Sequence, residues 1–227
     1  MLGWPTRNLP VYYNAPTCSF SESELISLLD QALATWNSSP NTGLTLFRAT
    51  TASATTAPQV LADGFTGQSP LVVCDTRFDS DLTVNADGVP AATHLALDSK
   101  NHLNVAGVII NAQFGAQANF NFLTRDQQLV ALTHELGHAI GLGHSESNHS
   151  LMFYSIDNKT TPTLTEDDMD GATFLYARNE FASNPFGCSA VHFARSTFSI
   201  VWMGMFVGIC LAVTFVAGRF LQGRKRP

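Results

Sequence analysis

Two histidines and a glutamate within five residues could hold a metal ion and supply a general base. In the string HELGH at residues 134–138, the imidazoles of His134 and His138 are four positions apart. On a helix they would lie on one face, one turn from each other. Catalytic zinc takes three protein ligands and leaves a fourth position for water, so a third ligand is required. The next histidine along the chain is His144.

His144 can reach the same ion only if the helix ends before it. In a continuous helix it would lie about 9 Å beyond His138 along the axis and about 240° around it. Gly141 stands between them, and glycine accepts the left-handed conformation with which many helices end. The spacing therefore predicts a helix that breaks at Gly141 and a chain that turns His144 back to the metal.

Glu135 has the right type and position to act as the general base. It would point about 100° away from His134, close to the water but outside the ligand set. Zinc lowers the pKa of a bound water from 15.7 to about 7, and a nearby carboxylate can accept its proton. This pattern predicts an endopeptidase with one catalytic zinc ion. The alternatives are a zinc-binding adhesion or recognition module that does not cleave, against which Glu135 argues, and a membrane-anchored interaction protein.

Helices and strands with buried faces must position these residues. Capping boxes begin two helices at Ser21 and Thr124, and a third helix starts near Thr165 and runs to about residue 177. The histidine pair lies on the last turns of the second helix. Strand-like apolar runs occupy residues 9–14, 44–48, 70–74 and 103–111. The sequence thus predicts an α+β domain at residues 1–178.

At this point the sequence resembles a known family. HELGHAIGLGHS is similar to the metzincin signature HExxHxxGxxH in its matrixin form, the branch that includes the matrix metalloproteinases. SLMFY resembles the Met-turn of that clan, LTEDDMDGATFLY resembles the matrixin C-terminal helix, and the opening strand and helix resemble bacterial-type matrixin domains. The likeness covers about residues 8–178. It implies a zincin-like, mixed and mostly parallel sheet with an active-site helix and a C-terminal helix, and a protein or peptide substrate bound as an extended strand.

The resemblance also implies roles for individual residues. The implied set consists of zinc ligands His134, His138 and His144, base Glu135, and Met152 beneath the metal. Asp167 or Asp168 would tie the last helix to the Met-turn or to a mature N-terminus. Tyr154 departs from the matrixin pattern, which usually has proline there. In the astacin and serralysin branches a tyrosine at this place binds zinc or stabilises the oxyanion, and the alternative is a tyrosine that lines the pocket.

Other possible metal and disulfide residues carry weaker signals. His94, Asp98 and His102 fall where matrixins can hold a structural ion, but their spacing fits poorly. We interpret them as solvated loop residues and assign neither structural Ca²⁺ nor a second Zn²⁺. Of the four cysteines, Cys18 and Cys74 are the first pair to consider for a disulfide, leaving Cys188 as an odd thiol, and unpaired thiols throughout are the alternative.

The C-terminal part of the chain has a different composition. Residues 198–218 carry no charge and are long enough to cross a bilayer as a helix, after a connector at 179–197. The basic residues at 219–227 predict a cytoplasmic tail, and hence a single-pass protein with an extracellular or periplasmic domain. A processed sorting tail or a buried helix are alternatives, and no signal peptide is visible to explain export. The net charge of −6, with no basic stripe in the domain, argues against a nucleic-acid partner.

Overall fold

The domain is built on a sheet with helices on both faces. His134 and His138 lie on one of those helices, and His144 follows it. The computed structural model describes residues 3–50, 55–156 and 159–178. The predicted connector, membrane span and basic tail, at 179–197, 198–218 and 219–227, lie outside the described residues. Within the described ranges, no helix is both long enough and apolar enough to cross a bilayer.

Five strands form the sheet. They are β1 (Asn8–Asn14), β2 (Thr45–Arg48), β3 (Leu71–Asp75), β4 (Ala91–Leu97) and β5 (Leu103–Asn111). Their order is β2-β1-β3-β5-β4, and the β4–β5 pairing is antiparallel while the other three are parallel. The predicted α+β class with a mixed, mostly parallel sheet is confirmed.

The helices follow the capping signals in the sequence. The longer ones are α1 (Glu22–Asn37), α4 (Arg125–Ala139) and α5 (Glu166–Leu175), and two helices of five residues, α2 (Ala57–Leu61) and α3 (Phe78–Leu82), were not predicted. The capping boxes at Ser21 and Thr124 both form. Because α2 and α3 are little more than one turn each, hydrophobic periodicity gives them no clear signal.

The sheet separates two apolar layers. On one face, α1 and α4 pack over Val11, Val72 and Val108, and on the other face α2 and α3 cover Val73 and Ile109. Strands β3 and β5 are therefore buried on both faces, as central parallel strands usually are. This burial explains why both strands are continuous apolar runs in the sequence.

Strand β4 was missed, and the placement of His94 in a solvated loop was wrong. His94 lies within β4 and pairs with Gly107 of β5. The strand reads AATHLAL, and its three alanines have low strand propensity, so pairing with β5 rather than local preference decides its conformation. Asp98 and His102 do lie in the connection after β4, where Nδ1 of His102 is 3.5 Å from a carboxylate oxygen of Asp98.

A disulfide joins the segment after β1 to strand β3, which are far apart in the sequence. Cys18, which follows β1, is bonded to Cys74 near the end of β3, with a sequence separation of 56. The pair that the sequence placed first is therefore the one that forms. Cross-linking a loop of this length restricts the unfolded chain and contributes about 4 kcal/mol of stability in the chain-entropy account.

Replacing both cysteines by serine should lower the free energy of unfolding by about 2–4 kcal/mol. The reason is the larger conformational freedom of the unfolded variant, while the folded sheet stays the same. Urea unfolding of residues 1–178 of both forms measures the difference, and adding a reductant to the unmodified protein should reproduce it. A reductant effect on the double serine variant would contradict this explanation.

Candidate metal centre

Helix α4 carries the first two histidines and is held rigidly against the core. The Trp36 indole of α1 donates to the Thr133 carbonyl at 2.8 Å, one residue before His134. His134 and Glu135 are buried, at 5% and 9% exposure. Helix α4 thus packs against both α1 and the sheet, and the turns that carry His134 and Glu135 face this packing.

The three predicted histidines converge on one point. Nε2 of His138 lies 3.1 Å from Nε2 of His134 and 3.2 Å from Nε2 of His144. The candidate ligand atoms of all three side chains lie within 4.8 Å of one another. Among the residues that the structure describes, this is the one group of three or more histidine, cysteine or acidic side chains able to hold a metal ion.

Backbone carbonyls hold two of the rings in the orientation that a metal needs. Nδ1 of His134 lies 2.7 Å from the Leu151 oxygen, and Nδ1 of His138 lies 2.8 Å from the Leu142 oxygen. A proton on Nδ1 that is donated to a carbonyl leaves the Nε2 lone pair free for the ion. Burial lowers the pKa of His134 to about 4 and also lowers the pKa of His138. Neutral imidazoles with converging Nε2 atoms suit zinc.

The break that returns His144 to this point occurs at Gly141. Helix α4 ends at Ala139, and Gly141 has a φ of 106°, which is in the region that favours glycine. Its N–H donates to the His138 oxygen at 2.8 Å, and the next N–H, of Leu142, donates to the Gly137 oxygen at 3.0 Å. These two hydrogen bonds close the end of the helix in the manner of a glycine cap.

Two aromatic residues from opposite ends of the domain satisfy the last carbonyls of α4. The Trp4 indole donates to the Ala139 oxygen at 2.8 Å, and the Tyr176 hydroxyl donates to the Ile140 oxygen at 2.6 Å. The Tyr176 hydroxyl also accepts a hydrogen bond from the backbone N–H of Trp4 at 2.9 Å. Neither residue was a sequence candidate, because no local motif relates positions 4 and 176 to a helix end.

Met152 packs directly beneath the helix that carries His134 and His138. It is 2% exposed and lies against Gly137. A Cβ at position 137 would come within 2.3 Å of the Met152 sulfur and 2.7 Å of the Trp36 ring. Glycine at this place in the HELGH string therefore permits the close approach of the Met-turn, a packing role that the spacing of the histidines did not reveal.

Asp168 ties α5 to the Met-turn. Its carboxylate accepts the backbone N–H groups of Leu151 at 2.9 Å and Met152 at 3.0 Å, and also the Ser150 hydroxyl. Asp168 is buried, whereas its neighbour Asp167 is exposed. Of the two acids that the resemblance put forward, Asp168 makes the contact with the Met-turn, and Ser150 is a partner that the sequence did not indicate.

Glu135 is a buried acid, and among the described residues Thr93 is the side chain that is hydrogen-bonded to it. The Thr93 hydroxyl of β4 donates to its Oε2 at 2.7 Å. Burial raises the pKa of Glu135 to about 8, against the lowering effect of the Thr93 hydrogen bond. In the metal-free chain the carboxyl group is therefore ready to hold a proton near neutral pH, and a nearby cation would shift its pKa downward.

Tyr154, the last residue of the SLMFY segment, lies at the surface. Its side chain is 71% exposed, and its ring lies against that of Phe153 with the centroids 4.4 Å apart. The role that the resemblance implies for its hydroxyl, at the metal or at the oxyanion, stays a prediction.

Replacing Asp168 by asparagine should lower the free energy of unfolding by about 2 kcal/mol at neutral pH, because an amide cannot accept all of these hydrogen bonds. Burial alone would raise the pKa of Asp168, but hydrogen bonds from Ser150, Thr165 and Leu151 outweigh it and hold the pKa below its ordinary value of 3.8. The stabilisation by Asp168 is therefore complete above pH 3.8 and is lost as the pH falls through the lowered pKa.

The measurement is urea unfolding of the metal-free protein and the Asp168→Asn variant at pH 7 and near pH 3. The difference between them should shrink at the acid pH. Asp167 has an exposed carboxylate on the same helix turn, so Asp167→Asn is the matched control. This variant should change the free energy of unfolding little at either pH. A difference for Asp168→Asn that is independent of pH would show that the carboxylate charge is not what stabilises the Met-turn.

Comparison with known proteins places this geometry in a family. The family model described as Matrixin matches residues 4–177. Curated relatives include Metalloendoproteinase 2-MMP of Arabidopsis thaliana, 44% identical over 55 residues, which is 24% of this chain and 14% of that protein. Matrilysin of Rattus norvegicus is 39% identical over 66 residues, 28% of this chain and 22% of that protein.

A third relative is Matrix metalloproteinase-25 of Mus musculus, 47% identical over 76 residues, 30% of this chain and 12% of that protein. In each case the chain matches less than a quarter of the relative's length. The family match, in contrast, extends over most of the chain and includes every element from β1 to α5. With the three histidines, the glycine break and the Met-turn all in place, the chain belongs to the matrixin family.

Proposed function

We propose that this protein is a zinc-dependent endopeptidase whose metal is held by His134, His138 and His144, with Glu135 as general base. The observation that carries the proposal is the convergence of three imidazole Nε2 atoms, two of them from α4, the helix that also carries the buried Glu135. The names of the relatives, a metalloendoproteinase, a matrilysin and a matrix metalloproteinase, describe proteins of this activity class.

The chain's own residues can perform the proton transfers of peptide hydrolysis. Zinc, when bound, polarises water and the substrate carbonyl. Glu135 would accept the proton of the attacking water on its carboxylate and then deliver it to the leaving amine. Its burial keeps other water away, so that the proton is exchanged with the reacting groups rather than with bulk solvent.

The edge of the sheet offers a place for the substrate chain. Strand β4 is the last strand in the sheet order, and it packs against α4, the helix that carries Glu135. The outer backbone groups of an edge strand can pair with an added strand. We therefore propose that a protein or peptide substrate binds in an extended conformation along β4, which would place its backbone beside the histidines.

The disulfide supports an outward location for the domain. Disulfides persist in extracellular and periplasmic compartments and are rare in the cytosol, and Cys18–Cys74 is an ordinary structural cross-link between strand ends. We propose that residues 198–218 anchor the domain to a membrane with the catalytic part outside. The composition of residues 198–227, rather than any described contact, supports the anchor.

Glu135→Gln should lower kcat by about 10²- to 10⁴-fold, because the amide cannot accept the proton of water. The zinc content should remain one ion per chain, since the side chain at position 135 is not a ligand in this assignment. Digestion of a peptide library by the purified proteins measures the cleavage rate, and elemental analysis measures the zinc content. Glu146→Gln makes the same change at an exposed position two residues after His144 and should keep full activity.

The result of this experiment also decides between a peptidase and a zinc-binding adhesion or recognition module that does not cleave. Undiminished cleavage by Glu135→Gln would exclude Glu135 as the base. Stoichiometric zinc in the unmodified protein without cleavage of any peptide would favour the adhesion or recognition module.

Protease treatment of intact cells that express the full chain should remove the domain, because an outward domain is accessible. A cytoplasmic protein of known location serves as the protected control. Protection of the domain until the membrane is permeabilised would contradict the outward assignment.

A further inference from the structure

Strand β4 contributes a side chain that contacts the proposed general base. The Thr93 hydroxyl lies 2.7 Å from Oε2 of Glu135 and 3.0 Å from the backbone oxygen of the same residue. Within the described residues, this hydroxyl is the hydrogen-bond donor to the Glu135 carboxylate. The contact joins residues 42 positions apart, so only the packing of α4 against β4 creates it.

The strand register directs Thr93 towards the helix. Thr93 pairs with Val108 of β5 in the antiparallel ladder, and alternate residues of a strand point to opposite faces. Leu95, two positions on, packs in the layer that contains α4, while Ala92 and Ala96 pack in the opposite layer. The hydroxyl is therefore held by the sheet and does not depend on a loop for its position.

We infer that Thr93 is a positioning residue that fixes the rotation of the Glu135 carboxylate. A hydroxyl has one proton to donate, and we assign that proton to the hydrogen bond with Oε2 because this contact, at 2.7 Å, is shorter than the 3.0 Å contact with the backbone oxygen. The other carboxylate oxygen, Oε1, is then left to meet the attacking water. The inference rests on the proposed role of Glu135 as general base.

A positioning residue is needed because the carboxylate of a glutamate without a hydrogen-bond partner can rotate. Its terminal torsion has a broad, roughly two-fold energy profile, so rotation of the carboxylate costs little by itself. General-base catalysis needs the accepting oxygen within hydrogen-bond reach of the water, and small misplacements reduce the rate strongly. A charge-assisted hydrogen bond from a strand residue restricts that rotation without competing for the oxygen that reacts.

The test compares two substitutions of Thr93. Thr93→Val keeps the shape and a β-branched residue in β4 but removes the donor, and Thr93→Ser keeps the donor. We expect Thr93→Val to lower kcat about tenfold or more with KM nearly unchanged, and Thr93→Ser to retain most of the activity. Thr45→Val makes the same change at an exposed position of β2 and should have no effect.

A double-mutant cycle separates positioning from general damage to the fold. If Thr93 acts through Glu135, then Thr93→Val should lower kcat in the unmodified background and cause no further loss in the Glu135→Ala background. The same cycle is measured on urea unfolding midpoints of the metal-free protein. There the two changes should also be non-additive, because they remove the two partners of one hydrogen bond.

The outcomes distinguish the inference from the function on which it rests. Full activity of Thr93→Val, with Glu135→Ala inactive, would overturn the positioning role and leave the general base in place. Full activity of Glu135→Ala would overturn the proposed base itself. Equal loss for Thr93→Val and Thr93→Ser, or additive effects in both cycles, would show that position 93 matters only for packing and would also overturn the inference.

Discussion

The turn of the chain at Gly141, directly after helix α4, is the constraint on which the metal centre depends. A helix that continued would carry His144 away from His134 and His138, and no side-chain movement could compensate for that distance. The positive φ of Gly141 turns the chain, and the carbonyls left open at the helix end are satisfied by Trp4 and Tyr176. Residues near the two ends of the domain thus stabilise the turn that brings His144 to the other two histidines.

The Met-turn links this region to the last helix through hydrogen bonds and close packing. The Leu151 carbonyl orients the His134 ring, and the adjacent N–H groups of the turn are bound by Asp168. Met152 in the same turn lies against Gly137, where any larger residue would collide with it. One short segment therefore connects a ligand, the helix that carries it and the C-terminal helix, so a change in any of these contacts acts on the others.

Glu135 illustrates how a fold can hold an acid in an environment that disfavours its charge. Burial against β4 raises its pKa, and the hydrogen bond from Thr93 partly offsets that effect. The carboxylate accepts a hydrogen bond from the same edge strand that we propose for substrate binding. Base and substrate backbone would then be positioned by one rigid element, which favours a reproducible geometry between them.

Much of the centre follows from short-range pattern. The four-residue spacing of His134 and His138 requires a shared helix face, and glycine at position 141 predicts the break, because helix geometry and backbone sterics act within a few residues. The capping boxes of α1 and α4 are local in the same way. The resemblance to matrixins narrowed the fold to a mixed, mostly parallel sheet, and the observed sheet, with three parallel pairings and one antiparallel pairing, agrees with it.

Other features required the tertiary structure. Strand β4 is alanine-rich and becomes a strand by pairing with β5, so neither the strand nor the contact of Thr93 with Glu135 has a local signal. The choice of Asp168 over Asp167 depends on which side of α5 faces the Met-turn. The sequence by itself determined which side chains could bind a metal and where the helix must end, since these depend on neighbours along the chain. Only the tertiary structure decided what surrounds them, because those contacts join residues that packing, and not sequence distance, brings together.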